Sequence, residues 1–258
     1  MSTAKGDDLK PVARRALASL DLTNLNDDCT TEDVRELCAR ARGPHGKVAG
    51  VCIWPQFVKV AKTILTGSGV RVVTVVAFPK GTETASLAME QTAAAVEDGA
   101  DEIDMVIPYR GLMEGHPELV PARVSRIKSA AGAVPVKAIL ETGVLGDAAL
   151  IKQASELAIE GGADFIKTST GKVPVNATPE AARVMLEVIA AQSETVGLKP
   201  AGGVRTTEDA AVYFDMCDEI MGAGWATPAH FRIGASSVLD ALTATLEGRQ
   251  GNGASGSY

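Results

Sequence analysis

Short apolar runs that read as strands alternate with longer runs that read as helices along the whole of this chain. That alternation restricts the fold more than any other feature. A strand, a helix and a further strand in succession need a crossover, and a crossover makes neighbouring strands parallel. Strands are predicted at Leu20–Leu22, Val48–Trp54, Val70–Phe78, Glu102–Ile107, Val134–Leu140, the start of Ala163–Lys172, Val196–Ala201 and Phe231–Ala235. Helical periodicity or capping signals predict helices from Thr30 or Thr31 to about Arg42, from Pro55 to about Thr66, over Thr82–Asp98, Pro117–Ala131 and Asp147–Glu160, from Thr178, from Thr206 or Thr207 to about Met221, and over Ser236–Leu246. An extra helix, Leu9–Ser19, precedes the first strand. Asp218–Met221 also has weak strand character and is assigned to a helix end.

Eight βα units that close on themselves form a TIM (β/α)8 barrel, which needs about 250 residues; this chain has 258. An open doubly wound sheet is the runner-up, but no GxGxxG or Walker loop follows an early strand. The expected organisation is one catalytic barrel over residues 1–247 and a Gly/Ser/Asn-rich flexible tail over 248–258, ending in Tyr258. The net charge of −7 without a sustained basic block argues against nucleic-acid partners. A polar N-terminus and the lack of an apolar run near the ~20 residues of a membrane span point to a soluble, cytoplasmic protein with no membrane partner. Four scattered cysteines without CxxC spacing read as free thiols. Three histidines without HxH or HxxxH spacing suggest no metal site.

Side chains alternate across a strand, so each strand can be sorted by parity. Leu20 and Leu22 oppose Asp21; Val51 and Ile53 oppose Cys52; Ile103, Met105 and Ile107 oppose Glu102, Asp104 and Val106. Val136 and Ala138 oppose Lys137; Ile166 and Thr168 oppose Phe165, Lys167 and Ser169; Val196 and Leu198 oppose Lys199. One parity packs under helices. The other carries Asp21, Cys52, Asp104, Lys137, Lys167 and Lys199, and in a barrel it points into the lumen. Most of these residues fall near the C-terminal strand ends, where TIM-barrel active sites are built. Three lysines against two acids would be a costly arrangement if it served only to hold the fold, so the cluster reads as chemical.

Burial and a nearby ammonium both favour the neutral form of a lysine amine, and that form attacks carbonyl carbon. Lys167 beside Lys199 therefore suggests Schiff-base chemistry. Asp104 could shuttle protons, and Lys137 would keep it ionised and oriented. Cys52 reads as a pocket-lining thiol. Glycine loops follow three successive strands: Gly171-Lys172, Gly202-Gly203-Val204-Arg205 and Gly234-Ala235-Ser236-Ser237. Their backbone N–H groups suit a phosphate.

At these residues the chain resembles the deoxyribose-phosphate aldolase family. The likeness is carried by Asp21-Leu22-Thr23, Cys52-Ile53-Trp54-Pro55, Phe78-Pro79-Lys80-Gly81, Glu102-Ile103-Asp104, Lys137 to Thr142, Ala163 to Gly171, Lys199 to Arg205 and Gly234 to Ser237. The resemblance implies a class I aldolase: reversible cleavage of 2-deoxyribose 5-phosphate to glyceraldehyde 3-phosphate and acetaldehyde, in deoxyribonucleotide catabolism. It implies Lys167 as the Schiff-base lysine, Lys199 as the lysine that tunes it and Asp104 as acid/base. Gly171, Lys172, Gly202, Gly203, Gly234, Ser236 and Ser237 would hold the substrate phosphate, and Lys137, Cys52 and Asp21 would line the site. Tyr258 matches a terminal tyrosine that assists proton transfer in some relatives. No metal or organic cofactor is implied, and relatives often form homodimers. A Schiff-base aldolase for another aldehyde and a non-catalytic phosphosugar-binding barrel are the rival readings.

Overall fold

Eight parallel strands lie in the predicted places in the computed structural model, which describes residues 8–193 and 195–249. They are β1 Leu20–Asn24, β2 Gly50–Ile53, β3 Arg71–Val76, β4 Glu102–Val106, β5 Val136–Ile139, β6 Phe165–Lys167, β7 Gly197–Lys199 and β8 Ile233–Ala235. Each pairs with its sequence neighbour from β1 to β7, and β1 also pairs with β8. The β7–β8 seam is joined by parallel bridges Leu198–Phe231 and Ala201–Gly234. The sheet therefore closes into a TIM (β/α)8 barrel.

The helices between strands are α2 Thr31–Arg40, α3 Val58–Leu65, α4 Ala85–Glu97, α5 Leu119–Ala131, α6 Ala148–Glu160, α7 Pro179–Gln192, α8 Thr207–Met221 and α9 Val238–Leu246. The extra helix α1, Lys10–Ala18, packs on α8 and α9. Arg15 fastens it there, with a forked pair of 2.8 Å bonds to Asp218 and a stack over Phe214. Helix starts follow the capping chemistry. Thr30 and Thr206 form capping boxes with Asp33 and Asp209. Thr84, Asp147 and Thr178 each accept a bond from a first-turn N–H. Such caps satisfy donors that the helix itself cannot.

Some local features differ from the sequence reading. Pro55 opens a 3-10 turn, Pro55–Phe57, before α3. Gly43-Pro44-His45-Gly46 closes a two-residue hairpin, Arg42–Gly43 against Gly46–Lys47. Helical turns at Tyr109–Met113 and Thr142–Leu145 are too short to leave a periodic signature. Asp218–Met221, by contrast, is the end of α8, as the sequence reading assigns it.

The apolar parity packs between wall and helices, with Val51, Ile53, Ile103, Met105, Ala138, Ile166 and Leu198 fully buried. Inside the lumen, Leu25, Cys52, Val73 and Val75 form a separate small apolar cluster on the β2–β3 side. The lumen also holds a buried ionic cluster of Asp21, Glu102, Asp104, Lys137, Lys167, Lys199 and Arg232. The tail from residue 250 onward, Tyr258 included, lies outside the described residues.

Candidate active site

Asp104, the third residue of β4, is the centre of the ionic lumen. Its Oδ1 accepts from Lys137 Nζ at 2.9 Å. Its Oδ2 accepts from Lys167 Nζ at 2.8 Å and from Lys199 Nζ at 2.7 Å. The strand register explains the convergence. Lys137 is the cross-strand partner of Asp104, and Lys199 is the cross-strand partner of Lys167. Each pair therefore points inward at one level of the barrel.

A second layer lies below. Lys137 Nζ also meets Glu102 Oε2 at 2.6 Å, and Lys199 Nζ meets Asp21 Oδ2 at 2.6 Å. Arg232 closes the floor: its Nη1 donates to Asp21 Oδ1 at 2.8 Å and its Nη2 to Glu102 Oε1 at 2.7 Å. The Phe165 ring lies 5.9 Å from Lys137 Nζ and 5.7 Å from the Arg232 guanidinium. Half-exposed Arg71 reaches Glu102 at 3.0 Å from the outer rim. Among the described buried residues, the network is thus four cations and three carboxylates. Sequence reasoning missed Glu102 and Arg232 and expected three lysines against two acids. The parity rule reaches both: Glu102 shares the face of Asp104, and Arg232 alternates with Phe231 and Ile233.

Burial alone would push the carboxyl of Asp104 upward. The Lys137, Lys167 and Lys199 ammonium groups more than offset this and hold it well below the usual carboxylate range. Asp21 and Glu102 are lowered in the same way, against burial, by Lys199 and Arg232 for the first and chiefly Lys137 for the second. For Lys199, burial favours loss of the proton, but the Asp104 and Asp21 carboxylates outweigh it and raise its pKa. Lys199 is therefore a fixed cation. Cys52 is fully buried, and burial pushes its thiol up, so it lines the lumen as a neutral group.

The end of β6 is pinned on both sides. Leu140 N–H donates to the Lys167 carbonyl at 2.9 Å, and Thr168 N–H donates to the Lys199 carbonyl at 3.1 Å. Glu141, in a left-handed conformation at φ 59°, turns its buried carboxylate to Thr170 N–H at 3.1 Å and to the Thr170 hydroxyl. Sequence reasoning did not single out Glu141; nothing in its spacing marks the left-handed turn.

The glycine loops form one continuous rim. Gly202 N–H donates to the Gly234 carbonyl at 3.2 Å. Ala177 N–H donates to the Ala201 carbonyl at 3.3 Å, tying the β6–α7 loop to the β7 loop. Gly171, Gly202 and Gly203 have positive φ of 85°, 77° and 90°. A Cβ on Gly202 would stand 2.7 Å from Asn176 Cβ, so this close approach also requires glycine. Lys172 Nζ pairs with Asp27 Oδ1 at 2.9 Å and lies 5.8 Å from the Trp54 ring. Ser236 lines a cavity of about 140 Å³ with Thr23, Asn26 and Arg40 among others. Ser237 precedes α9 without capping it through its side chain. Among the described residues no group of three or more His, Cys, Asp or Glu is placed to hold a metal ion, and no helix is long and apolar enough to cross a membrane.

A closed (β/α)8 barrel with a carboxylate ringed by lysines near its C-terminal mouth defines a TIM-barrel enzyme. The family model for DeoC/LacD family aldolases matches residues 15–242. The chain belongs to that aldolase family and is a lyase. Solved structures agree on the fold. A provisionally assigned deoxyribose-phosphate aldolase from Toxoplasma gondii has a TM-score of 0.84 at 25% identity, covering 93% of this chain and 96% of its own. A similarly assigned structure from Coccidioides immitis has a TM-score of 0.79 at 29% identity, covering 95% and 98%. A deoxyribose phosphate aldolase from Aeropyrum pernix, described as a tetramer, has a TM-score of 0.72 at 26% identity, covering 94% and 95%.

Proposed function

We propose that Lys167 is the Schiff-base nucleophile of a deoxyribose-phosphate aldolase. One observation carries this reading. Lys137, Lys199 and Arg232 each bridge two carboxylates, whereas among the described residues the ion pair of Lys167 is with Asp104 alone. Lys167 also ends its strand at the barrel mouth. Releasing its proton leaves Asp21, Glu102 and Asp104 each with a cation still in contact.

The neutral amine attacks the aldehyde carbon of open-chain 2-deoxyribose 5-phosphate. Loss of water gives an iminium, which serves as the electron sink for cleavage of the neighbouring carbon–carbon bond. Glyceraldehyde 3-phosphate leaves, and the enamine that remains is protonated and hydrolysed to acetaldehyde. Asp104 moves the protons, directly or through a water, while Lys199 keeps its charge and Lys137 holds Asp104 in place. Asp21 and Cys52 complete the lining. The phosphate sits on the rim of Gly171, Gly202, Gly203 and Gly234 and at Ser236 and Ser237 before α9. Lys172 transfers from Asp27 to the phosphate. Tyr258 assists proton transfer from the tail of residues 248–258. The barrel acts as one catalytic unit over residues 1–247, without a metal or cofactor, in the cytoplasm and as a homodimer.

Borohydride reduction with deoxyribose 5-phosphate, followed by peptide mass mapping, tests the central claim. A reduced adduct on the Lys167 peptide is expected, in chelator as well. No adduct, or an adduct on another lysine, refutes it. A phosphosugar-binding barrel without catalysis would bind the sugar and give no adduct.

A further inference from the structure

Arg232 stands at the floor of the lumen, and no step of the aldol chemistry calls on it. It is nevertheless held with unusual completeness. Besides its bonds to Asp21 and Glu102, its Nε donates to the Pro228 carbonyl at 2.6 Å, and it is 2% exposed. At Asp21 it takes Oδ1 and leaves Oδ2 to Lys199; at Glu102 it holds Oε1 and, through Nη1 at 3.0 Å, shares Oε2 with Lys137. Those two lysines then meet both oxygens of Asp104.

We propose that Arg232 is a positioning residue whose charge sets the pH at which Lys167 becomes a free amine. The inference rests on Lys167 being the Schiff-base lysine. With Lys167 neutral, Lys137, Lys199 and Arg232 balance Asp21, Glu102 and Asp104 one for one. Without Arg232, a neutral Lys167 would leave a buried excess of negative charge. Lys167 would then keep its proton to higher pH. The surroundings of Lys167 make this balance decisive. β4 presents Asp104 and β7 presents Lys199, both in the same hydrogen-bonded cluster. β5 presents Lys137 on the other oxygen of Asp104, and β1 presents Asp21 behind Lys199. Cys52 on β2 and Glu141 after β5 interact electrostatically with Lys167. β3 contributes Val73 and Val75, which carry no charge. β8 adjoins Arg232, which reaches Lys167 only through the carboxylates.

The test is the pH dependence of kcat/KM for deoxyribose 5-phosphate cleavage, with the rate of borohydride trapping at each pH. The wild type is compared with Arg232→Gln, Glu102→Gln, the double variant and Arg232→Lys, each checked for fold by circular dichroism. Arg232→Gln is expected to move the acid limb upward by about one pH unit, so activity falls about tenfold below the limb and recovers above it. Glu102→Gln removes a carboxylate, so its limb moves down or stays. The double variant and Arg232→Lys return near the wild-type profile. A limb unmoved in Arg232→Gln, an upward shift in Glu102→Gln, or a double variant that keeps the shift overturns the proposal. If Arg232→Gln does not fold, Glu102→Gln and the double variant carry the decision. Absence of wild-type trapping on Lys167 refutes the Schiff-base reading instead, whereas trapping with an unmoved limb refutes only the role of Arg232.

Discussion

A lysine amine held by one carboxylate can exchange that partner for a substrate carbon; an amine clamped between two cannot do so without leaving a buried charge exposed to the apolar interior. This separates Lys167 from Lys137 and Lys199, which the same Asp104 touches. Lys167→Leu is therefore expected to abolish turnover and borohydride trapping while circular dichroism stays that of the wild type. Lys199→Leu is expected to slow turnover by about 10²–10³-fold, the scale of a lost preorganised electrostatic group. Its pH optimum should also move upward, because a cation that favours the free amine at Lys167 is gone. A pH–rate profile of either variant matching the wild type would contradict the assignment.

Among the elements, the loop from β6 to α7 is fixed by an unusual backbone contact. A Cβ on Gly143 would come within 1.9 Å of the Val175 carbonyl oxygen, an atom that cannot swing aside. Gly143→Ala must therefore displace either the Thr142–Leu145 turn or the loop that carries Lys172. A loss of roughly 1–3 kcal/mol in stability is expected, together with a raised KM for the phosphorylated sugar and a smaller change in kcat. Thermal melts and steady-state kinetics read both. Contacts of this kind leave no trace in sequence, since a glycine in a short turn looks like any strand-end glycine. Strand order and lumen parity were legible, because period-two alternation survives in β1, β4, β5 and β7. Arg232 was within reach of the same rule and is missed when Phe231–Ala235 is treated as a terminal strand and left unsorted. Helix starts were legible to within a few residues, since Thr30, Asp147, Thr178 and Thr206 announce themselves chemically. Segments of five residues or fewer, such as Tyr109–Met113, hold less than two turns and show no period.

For the whole molecule, the ionic lumen links stability to pH. Asp21, Glu102 and Asp104 have folded-state pKa values below those of free carboxylates, which lie near 3.9 for Asp and 4.3 for Glu. A depressed carboxyl contributes stability that is present above its unfolded pKa and is lost as pH falls toward its folded pKa. Glu141 works the other way, because burial raises it despite its bonds to Thr170. Three groups outweigh one, so the melting temperature should be level from about pH 5 to 8 and fall steeply below about pH 4. A melting temperature that holds steady down to pH 3 would contradict this.

The bond between Asp21 and Arg232 joins positions 211 residues apart. The consequence concerns synthesis. While the ribosome still holds the eighth strand, the first and fourth strands carry acids whose guanidinium has not yet emerged. Until Arg232 docks, Asp21 and Glu102 have only Lys199 and Lys137 as buried partners, and the ionic floor of the lumen closes only after the eighth strand has been made.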